Sequence, residues 1–552
     1  MDNMKKVIGL IMAAMMCGAM SAQEVTQEAA LQKATQFVQG RMATGHGPRL
    51  AAGAELQLSS AGQVSGLYVF NVNDNGGYVI VSPDERTESI LGYSDSGSIA
   101  PENMPENMKA WLQGYAEEIS FLRGTRYEVR GAEEVRGAVS RSNIAPLVLT
   151  HWDQFEPYNN YCPAEGSSNC VTGCVATAMS QIMYSHQHPY ATIKEIPSYT
   201  TSSKGYVRPA IPAGSTINWS NMLLAYGWYN FDGSGWVQGT YNSTQADAVA
   251  QLMMMCGTAV HMNYSGNSSG GRSELIVPAF IKYFDYEPQT VQRVLRSNYS
   301  DSQWTDIIYH ELANGRPMVY SGVTSSNAGH SFIVDGYQTG DYFHVNWGWS
   351  TMGADGYYLL SAMIPKNTSY DFNYGHDAVI GIQPTGQGGT VSPQVSQANG
   401  TNIRLIDVQW SENPVKPGSQ VTIKATLQNN SATTYDKGFA FIPSTENMFN
   451  GSDFGDVSTL TSGEVKVVSK TITAPSTEGE ITYAIIYNRD GSWYKDEGFT
   501  TDPLIVSNSA TGISRTTVNG QQPTDAYYDL SGRRVMNPTK GIFIYQGKKV
   551  IR

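Results

Sequence analysis

The spacing of hydrophobic residues changes along the chain, and this change most constrains how the chain can fold. Near the N-terminus apolar residues recur every three or four positions, the spacing of an amphipathic helix, at Met108, Trp111, Leu112, Tyr115, Ala116, Ile119 and Leu122. Beyond position 420 apolar and polar residues alternate instead, which is typical of a strand with one buried face. Since 552 residues suffice for about three or four domains, we predict α+β regions followed by an all-β region.

The first 22 residues have the pattern of an export signal. Lys5 and Lys6 precede an apolar run over 7–20, and small residues end that run before Gln23. We therefore predict a signal peptide over 1–22, cleavage after Ala22, and a protein that is secreted or held at the cell surface.

Residues 23–140 are predicted to form a small α+β unit. An amphipathic helix is expected over 24–42, and a hairpin over 67–82 encloses the turn residues 74–77. The helical stripe described above follows. The segment 123–145 then collects arginines among Gly and Ser, which is typical of an exposed segment open to proteolysis.

The rest of the chain divides into four parts. Trp, Tyr and Gly are dense over 141–383, and a linker rich in Gly, Ser, Gln and Pro is predicted over 384–402. An immunoglobulin-like β-sandwich is predicted over 403–507 from alternating segments separated by turn residues, at 421–427, 464–468 and 481–487. The tail, 508–552, holds two short strand-like pieces, 527–535 and 541–550.

Charge and cysteine content exclude several classes of protein. A net charge of −12 without clustered Lys and Arg argues against nucleic acid as a partner. After export the chain keeps too few cysteines for a disulfide framework, and they lack zinc-site spacing: Cys162, Cys170, Cys174 and Cys256. We predict no metal and no cofactor. A bridge between Cys162 and Cys170 stays open, and Cys256 is expected in the core.

Cys174 is predicted to begin a buried helix. Gly173 precedes it, and the segment that follows has an apolar face at helical spacing, made by Val175, Ala178, Met179, Ile182 and Met183. A thiol at a helix N-terminus is expected to have a lowered pKa, because unpaired N–H groups and the helix dipole stabilise the thiolate. The thiolate is the nucleophilic form, so Cys174 is the candidate nucleophile.

His330 is the candidate general base. It follows Gly329, which would let a substrate backbone approach closely, and precedes an apolar strand over 332–334. A second strand ends at Asn346, and an antiparallel hairpin would bring the Asn346 amide close enough to orient the imidazole. Two further aromatic residues, Trp347 and Trp349, could shield that hydrogen bond and form a wall of the cleft.

Gln154 precedes Cys174 by 20 residues and is the candidate oxyanion donor, together with the Cys174 N–H. One such donor lowers the barrier by about 3–4 kcal/mol. The order Gln, Cys, His, Asn is the order of the papain-like arrangement.

Three segments resemble the streptopain/interpain family of cysteine proteases: 173–183, 329–336 and 346–349. The resemblance extends over about 23–383 and implies a papain-like fold, with a helical part and an antiparallel β part. It implies endopeptidase activity on proteins or peptides with an apolar residue second before the scissile bond. It also implies that 23–140 is a prodomain that inhibits the catalytic domain, 141–383, until it is removed.

Site residues carried over from the family are Cys174 as nucleophile, His330 as base, Gln154 as oxyanion donor and Gly329 as a backbone contact to substrate. The loop 264–271 resembles the family's substrate-contacting loop, which suggests Ser268 and Ser269 as further contacts. Asn346 and Trp347 compete for the role of the third group. The tail resembles C-terminal sorting tails of type IX secretion, which would make the secretion machinery a partner.

Two other functions compete with this interpretation. One is a surface adhesin whose protease-like domain is inactive, and the other is an amidase that uses Cys174 and His330 on non-protein amides. His376 is a weaker candidate for the base. His186 and His188 could form a metal pair, but polar residues at a helix end explain them better.

Overall fold

A computed structural model of the protein describes most of the chain from residue 24 onward. The described residues are 24–50, 53–124, 141–229, 237–323, 329–349, 355–361, 376–389, 392, 395, 403–429, 434–445, 459–461, 464–489, 492–496, 501, 503–508, 527–528, 534–535, 542–545 and 548–551. The predicted signal peptide and most of the arginine-rich segment lie outside them. Within the described part, no helix is long and apolar enough to cross a membrane.

The α-helices of the described residues begin at residues that suit helix starts. Thr26 caps the first helix with its hydroxyl, and Asn242 and Ser300 form capping boxes with the glutamines three residues later. The helices are α1 Gln27–Ala43, α2 Glu106–Gly124, α3 Cys174–His186, α4 Ser243–Ala259, α5 Ile276–Tyr283 and α6 Asp301–Ala313. The predicted helices over 24–42 and 108–122 and the helix that begins at Cys174 are therefore confirmed.

Ten of the described strands form one antiparallel sheet. In chain order they are β1 Leu58–Val64, β2 Leu67–Val72, β3 Tyr78–Val81, β4 Ile90–Ser94, β5 Gln292–Leu295, β6 Met318–Val323, β7 Gly329–Gln338, β8 Tyr342–Asn346, β9 Gly356–Tyr358 and β10 Asp377–Ile380. Their order across the sheet is β1-β2-β3-β4-β9-β8-β7-β6-β10-β5. The predicted hairpin, β2 and β3, is confirmed.

The sheet joins the predicted prodomain to the predicted catalytic domain. Strand β4 pairs with β9, with Gly92 opposite Tyr358 and Tyr93 opposite Tyr357. Helix α2 covers one face of this sheet, where its apolar stripe joins a core that also contains Phe332 and Trp347. The two parts therefore share one hydrophobic core.

The helical part of the catalytic region is built around α3. Its residues 175–183 are all buried, because α4 and the sheet pack on different sides of this helix. Short two-residue strands connect the surrounding loops, at Ala164–Glu165, Ser168–Asn169, Tyr199–Thr200, Val207–Arg208, Trp228–Tyr229 and Val237–Gln238. The predicted fold class, a helical part plus an antiparallel part behind an α+β prodomain, is confirmed.

The C-terminal region is built from strands among its described residues. They are β11 Ile403–Trp410, β12 Gln420–Asn429, β13 Phe439–Pro443, β14 Val465–Thr473, β15 Gly479–Ile481, β16 Tyr483–Arg489, β17 Ser492–Lys495 and β18 Leu504–Val506, then β19 Tyr527–Tyr528, β20 Arg534–Val535, β21 Ile542–Tyr545 and β22 Lys548–Ile551 in the tail. Strands β11, β12 and β14 form one sheet in that order, and β13, β16 and β17 form another. The expected all-β architecture is confirmed, whereas the exact domain limits stay predictions.

The chain divides into two compact units. One comprises the described residues within 1–409, 424–469 and 482–502, and so combines the catalytic region with much of the predicted sandwich. The other comprises those within 410–423, 470–481 and 503–552, and contains the β15–β18 pair and the tail strands. The start of the predicted linker belongs to the first unit, since Pro384 bridges to Tyr286 and the Thr385 N–H donates to the Asp285 carbonyl.

Candidate active site

Cys174 is the first residue of α3, and the turn before it requires glycine. Gly173 has φ +88°, a conformation that residues with a Cβ rarely adopt. A Cβ there would lie 2.5 Å from Met262 Sδ and 2.9 Å from the Ser269 carbonyl oxygen. The close packing of this turn therefore fixes where the thiol emerges.

The Cys174 thiol contacts the strand that carries His330. The Ser331 N–H donates to Cys174 Sγ at 3.4 Å. Burial raises the pKa of Cys174, and the N–H groups of Ser331, Val175 and Cys174 only partly offset this effect. The predicted lowering of the thiol pKa is thus wrong for this precursor, because desolvation outweighs the helix terminus.

His330 lies on the side of β7 that faces the prodomain. Side chains alternate along a strand, so His330 and Phe332 share one face and Ser331 lies on the other. The Phe332 ring packs against Trp111 of α2 at 5.5 Å between centroids. Burial lowers the pKa of His330, and the Glu106 carboxylate of α2 acts in the opposite direction. In the part of the chain that is described, His330 and Cys174 do not hydrogen-bond to each other.

Gln154 lies beside the loop that leads into Cys174. Its carbonyl accepts the Thr172 N–H at 3.1 Å, and the residue is 4% exposed. The Asp153 carboxylate fixes the turn by accepting the N–H groups of Gln154 and Phe155. The side-chain amide of Gln154 makes no hydrogen bond with any described residue, and its role as an oxyanion donor stays a prediction.

Asn346 makes no hydrogen bond to His330 in the described part of the chain. The sheet register places Asn346 opposite Ile333, and its amide donates to the Thr150 carbonyl at 2.8 Å. The same side chain exchanges hydrogen bonds with Gln181 and accepts the Gly348 N–H. The Asn346 amide is therefore engaged with Thr150 and Gln181, and its expected role in orienting His330 stays a prediction.

Trp347 and Trp349 differ in their surroundings. Trp347 is 1% exposed, packs on Phe332 at 4.7 Å, and its carbonyl accepts a hydrogen bond from Asn107 of α2 at 2.8 Å. Trp349 is half-buried and packs edge-on against the exposed ring of Phe155 at 5.8 Å. Trp349 therefore lies beside the residue that follows Gln154, and its role as a cleft wall stays a prediction.

The predicted substrate residues Ser268, Ser269 and Gly329 are placed differently. Ser268 and Gly329 are exposed. Ser269 is 6% exposed, and its hydroxyl donates to the Val171 carbonyl at 2.7 Å while accepting the Ser265 N–H. The Ser269 hydroxyl thus anchors the 264–271 loop beside Cys174, which leaves Ser268 as the accessible side chain of the pair.

The other histidines and cysteines have structural surroundings. His376 Nδ1 is 3.2 Å from the Tyr320 hydroxyl and its ring stacks on Trp111, and burial lowers the pKa of His376 to about 4. Cys162 and Cys170 are free thiols here, as is Cys256 in the core. No cluster of metal-binding side chains occurs among the described residues, and His186 contacts the Tyr286 hydroxyl instead.

Asn107 and Glu106, which sequence reasoning missed, mark where the prodomain meets the site. They occupy the first turn of α2, just before the apolar stripe that the sequence revealed. A polar pair at the start of an amphipathic helix is common, so only the folded structure reveals that Asn107 reaches the Trp347 carbonyl.

The sequence matches two family models. The model of the Peptidase C10 family matches residues 152–358, and that of the Spi protease inhibitor matches residues 22–119. Streptopain of Streptococcus pyogenes serotype M28 is 32% identical over 382 residues, which cover 65% of this chain and 92% of that protein. The thiol protease/hemagglutinin PrtT of Porphyromonas gingivalis is 29% identical over 401 residues, 69% of this chain and 44% of that protein.

Two solved structures from Prevotella intermedia are also similar. A fragment of prointerpain A is 29% identical, with a TM-score of 0.49, and the match covers 60% of this chain and 100% of the fragment. Active wild-type interpain A is 33% identical, with a TM-score of 0.35, and the match covers 43% of this chain and 94% of that one.

Proposed function

Because the chain belongs to the Peptidase C10 family and is a cysteine protease with a propeptide, we propose that it is an exported endopeptidase made as an inactive precursor. Cys174 is the nucleophile and His330 the general base. The observation that carries this proposal is the contact between Cys174 Sγ and the Ser331 N–H, which holds the His330 strand against the start of α3.

The reaction follows from these positions. The Cys174 thiolate attacks the carbonyl carbon of the scissile peptide, and the oxyanion that forms accepts hydrogen bonds from the Cys174 N–H and the Gln154 amide. His330, protonated by the thiol, gives its proton to the departing amine and leaves a thioester on Cys174. Water then attacks the thioester while His330 takes its proton, and the acid product and the thiol are released.

Latency follows from the position of α2. The Asn107 side chain donates a hydrogen bond to the Trp347 carbonyl, and Glu106 lies near His330. Trp111 packs on Phe332, which lies on the same face of β7 as His330. These contacts hold His330 on the prodomain side of β7, away from an ion pair with Cys174. Removal of residues 23–140 is therefore the activating step, and the arginine-rich segment within 125–140 is where we place the cut.

Export and sorting complete the proposal. The N-terminal pattern over 1–22 directs the chain out of the cytoplasm, and the tail over 508–552 engages the type IX secretion machinery. The substrates are proteins or peptides. The test is cleavage of casein or gelatin by the processed chain under reducing conditions, and turnover of a non-protein amide without protein cleavage would contradict it.

Replacement of Gln154 by alanine is expected to lower kcat by about 10²- to 10³-fold with little change in KM, because the lost donor acts mainly on the oxyanion. The measurement is steady-state kinetics of the processed enzyme on a peptide substrate. Gln251→Ala, on α4, is the matched control and should retain activity. A wild-type kcat in the Gln154→Ala enzyme would show that Gln154 is not an oxyanion donor.

The reactivity of Cys174 in the precursor is expected to rise with pH. Since burial raises the pKa of this thiol, it is protonated at neutral pH, and the thiolate fraction grows only as the pH approaches and passes that raised pKa. Alkylation by iodoacetamide, followed by peptide mass spectrometry, should therefore still accelerate above about pH 9, where an ordinary thiol with a pKa of about 8.5 is already mostly ionised. The processed enzyme should react rapidly already near neutrality, whereas buried Cys256 serves as the unreactive internal control. A precursor rate that levels off below about pH 9 would contradict a raised thiol pKa.

A further inference from the structure

The first strand of the β-sandwich is buried on both faces. Residues 403–406 of β11 are each at most 6% exposed, although β11 is an edge strand of its three-stranded sheet. In the same sheet, β14 has no buried residue. Because successive side chains of a strand point to opposite faces, four consecutive buried residues need a covering layer on each side. One layer is the sandwich interior, and the other has to come from another part of the chain.

Arg404 identifies the second layer as the catalytic domain. Its guanidinium, in a residue 1% exposed, donates to the carbonyls of Gln289 and Val291 at 2.8 Å each. These carbonyls belong to the segment just before β5 of the ten-stranded sheet. The next residue, Leu405, donates its N–H to the Asp496 carboxylate within the sandwich. Of these two adjacent residues, Arg404 thus binds the catalytic domain and Leu405 binds the sandwich.

Lys282 of α5 makes the reciprocal contact, from the catalytic domain to β11 of the sandwich. It is 4% exposed, donates to the Val408 carbonyl at 3.1 Å, and lies 3.6 Å from the Asp407 carboxylate. A buried cation is tolerated only where hydrogen bonds or an opposite charge replace its water. Both cations have such partners across the contact between the sandwich and the catalytic domain, although Arg404 Nε has no hydrogen-bond partner among the described residues. One buried cation comes from the sandwich and one from the catalytic domain, which indicates a specific interface between them.

The contact between the sandwich and the catalytic domain also extends to the predicted substrate loop. Arg272 directly follows the 264–271 loop, and its guanidinium lies 3.5 Å from the Thr482 hydroxyl of the sandwich. The Arg272 N–H bonds to the Val260 carbonyl, so this residue connects the loop to the end of α4. The sandwich therefore borders the segment that closes the loop beside Cys174.

We propose that the β-sandwich is a permanent structural partner of the catalytic domain in the processed protease, seated through Arg404 and Lys282. It stays bound after the prodomain leaves, and it supports the segment between the substrate loop and β5. The face that carries Arg404 is consequently occupied and is not a surface for an external ligand.

The test uses the full chain with a recognition site for a sequence-specific protease inserted within 396–402. After removal of the prodomain and cleavage at this site, the two fragments are expected to co-elute in size-exclusion chromatography. Reversing both charges, Lys282→Glu with Arg404→Glu, places carboxylates against backbone carbonyls and should weaken the association about 100-fold or more, so that the fragments separate.

Lys424→Glu is the matched control, since Lys424 is an exposed lysine of β12 in the same sheet and should not affect co-elution. Separation of the wild-type fragments would overturn the proposal. Co-elution of the charge-reversed fragments would overturn the assignment of the interface to Arg404 and Lys282. If the double variant fails to fold, the wild-type result decides the proposal alone.

Discussion

Replacement of Cys174 by alanine is expected to abolish protein cleavage, with a loss of at least about 10⁴-fold in kcat, because no other group can form the acyl-enzyme. The variant should fold normally, since the substitution removes one sulfur at the start of α3 and leaves the turn at Gly173 intact. The measurement is casein cleavage after trypsin has been used to cut the arginine-rich segment and has then been blocked with a serine-protease inhibitor.

A second cysteine serves as the matched control for this result. Cys162 is buried in the same domain, and burial raises the pKa of its thiol to about 12, which disfavours the nucleophilic thiolate. Cys162→Ala should therefore keep most of the activity. Residual cleavage by the Cys174→Ala chain at more than a few per cent of wild type, with folding unchanged, would show that the nucleophile is elsewhere.

The second large effect is expected at Gly92, where the prodomain strand β4 pairs with β9. A Cβ at Gly92 would lie 2.6 Å from Cδ1 of Tyr358, a ring that is fully buried and whose hydroxyl hydrogen-bonds to Tyr78 and Trp347. The ring cannot move away without breaking these bonds. Overpacking of this kind costs about 1–3 kcal/mol, so Gly92→Val should accelerate activation of the precursor by about 10- to 100-fold.

Activation is followed as the appearance of peptidase activity from purified precursor over time. Gly114→Ala is the control glycine, because it lies on α2 of the same prodomain and a Cβ there meets nothing within 4 Å. If Gly92→Val misfolds, Gly92→Ala introduces the same first contact with less bulk. Latency that is unchanged in both Gly92 variants would mean that β4–β9 pairing does not hold the prodomain in place.

Local patterns were sufficient for much of the fold. The stripe from Met108 to Leu122 predicts α2 because helical spacing of apolar residues is a property of the segment itself. The hairpin over 67–82 and the helix starting after Gly173 were predictable for the same reason, since turn residues and glycines act locally. These elements needed no knowledge of their partners.

Contacts between distant segments could not be predicted in this way. The register of β8 on β7 places Asn346 beside Ile333, and a shift by a bulge near Gly336 is invisible in the alternation of residue types. The raised thiol pKa has the same origin. The helix terminus that favours the thiolate is encoded near Cys174, whereas the burial that opposes it comes from the folded surroundings.

The most direct measurement is the site of covalent labelling by a thiol-directed epoxide inhibitor in the processed wild-type enzyme. Activity should fall in proportion to the label, and peptide mass spectrometry should place the label on Cys174. Full loss of activity with the label on Cys174 is the predicted result. Full activity in an enzyme whose Cys174 is completely labelled would contradict the cysteine-protease mechanism.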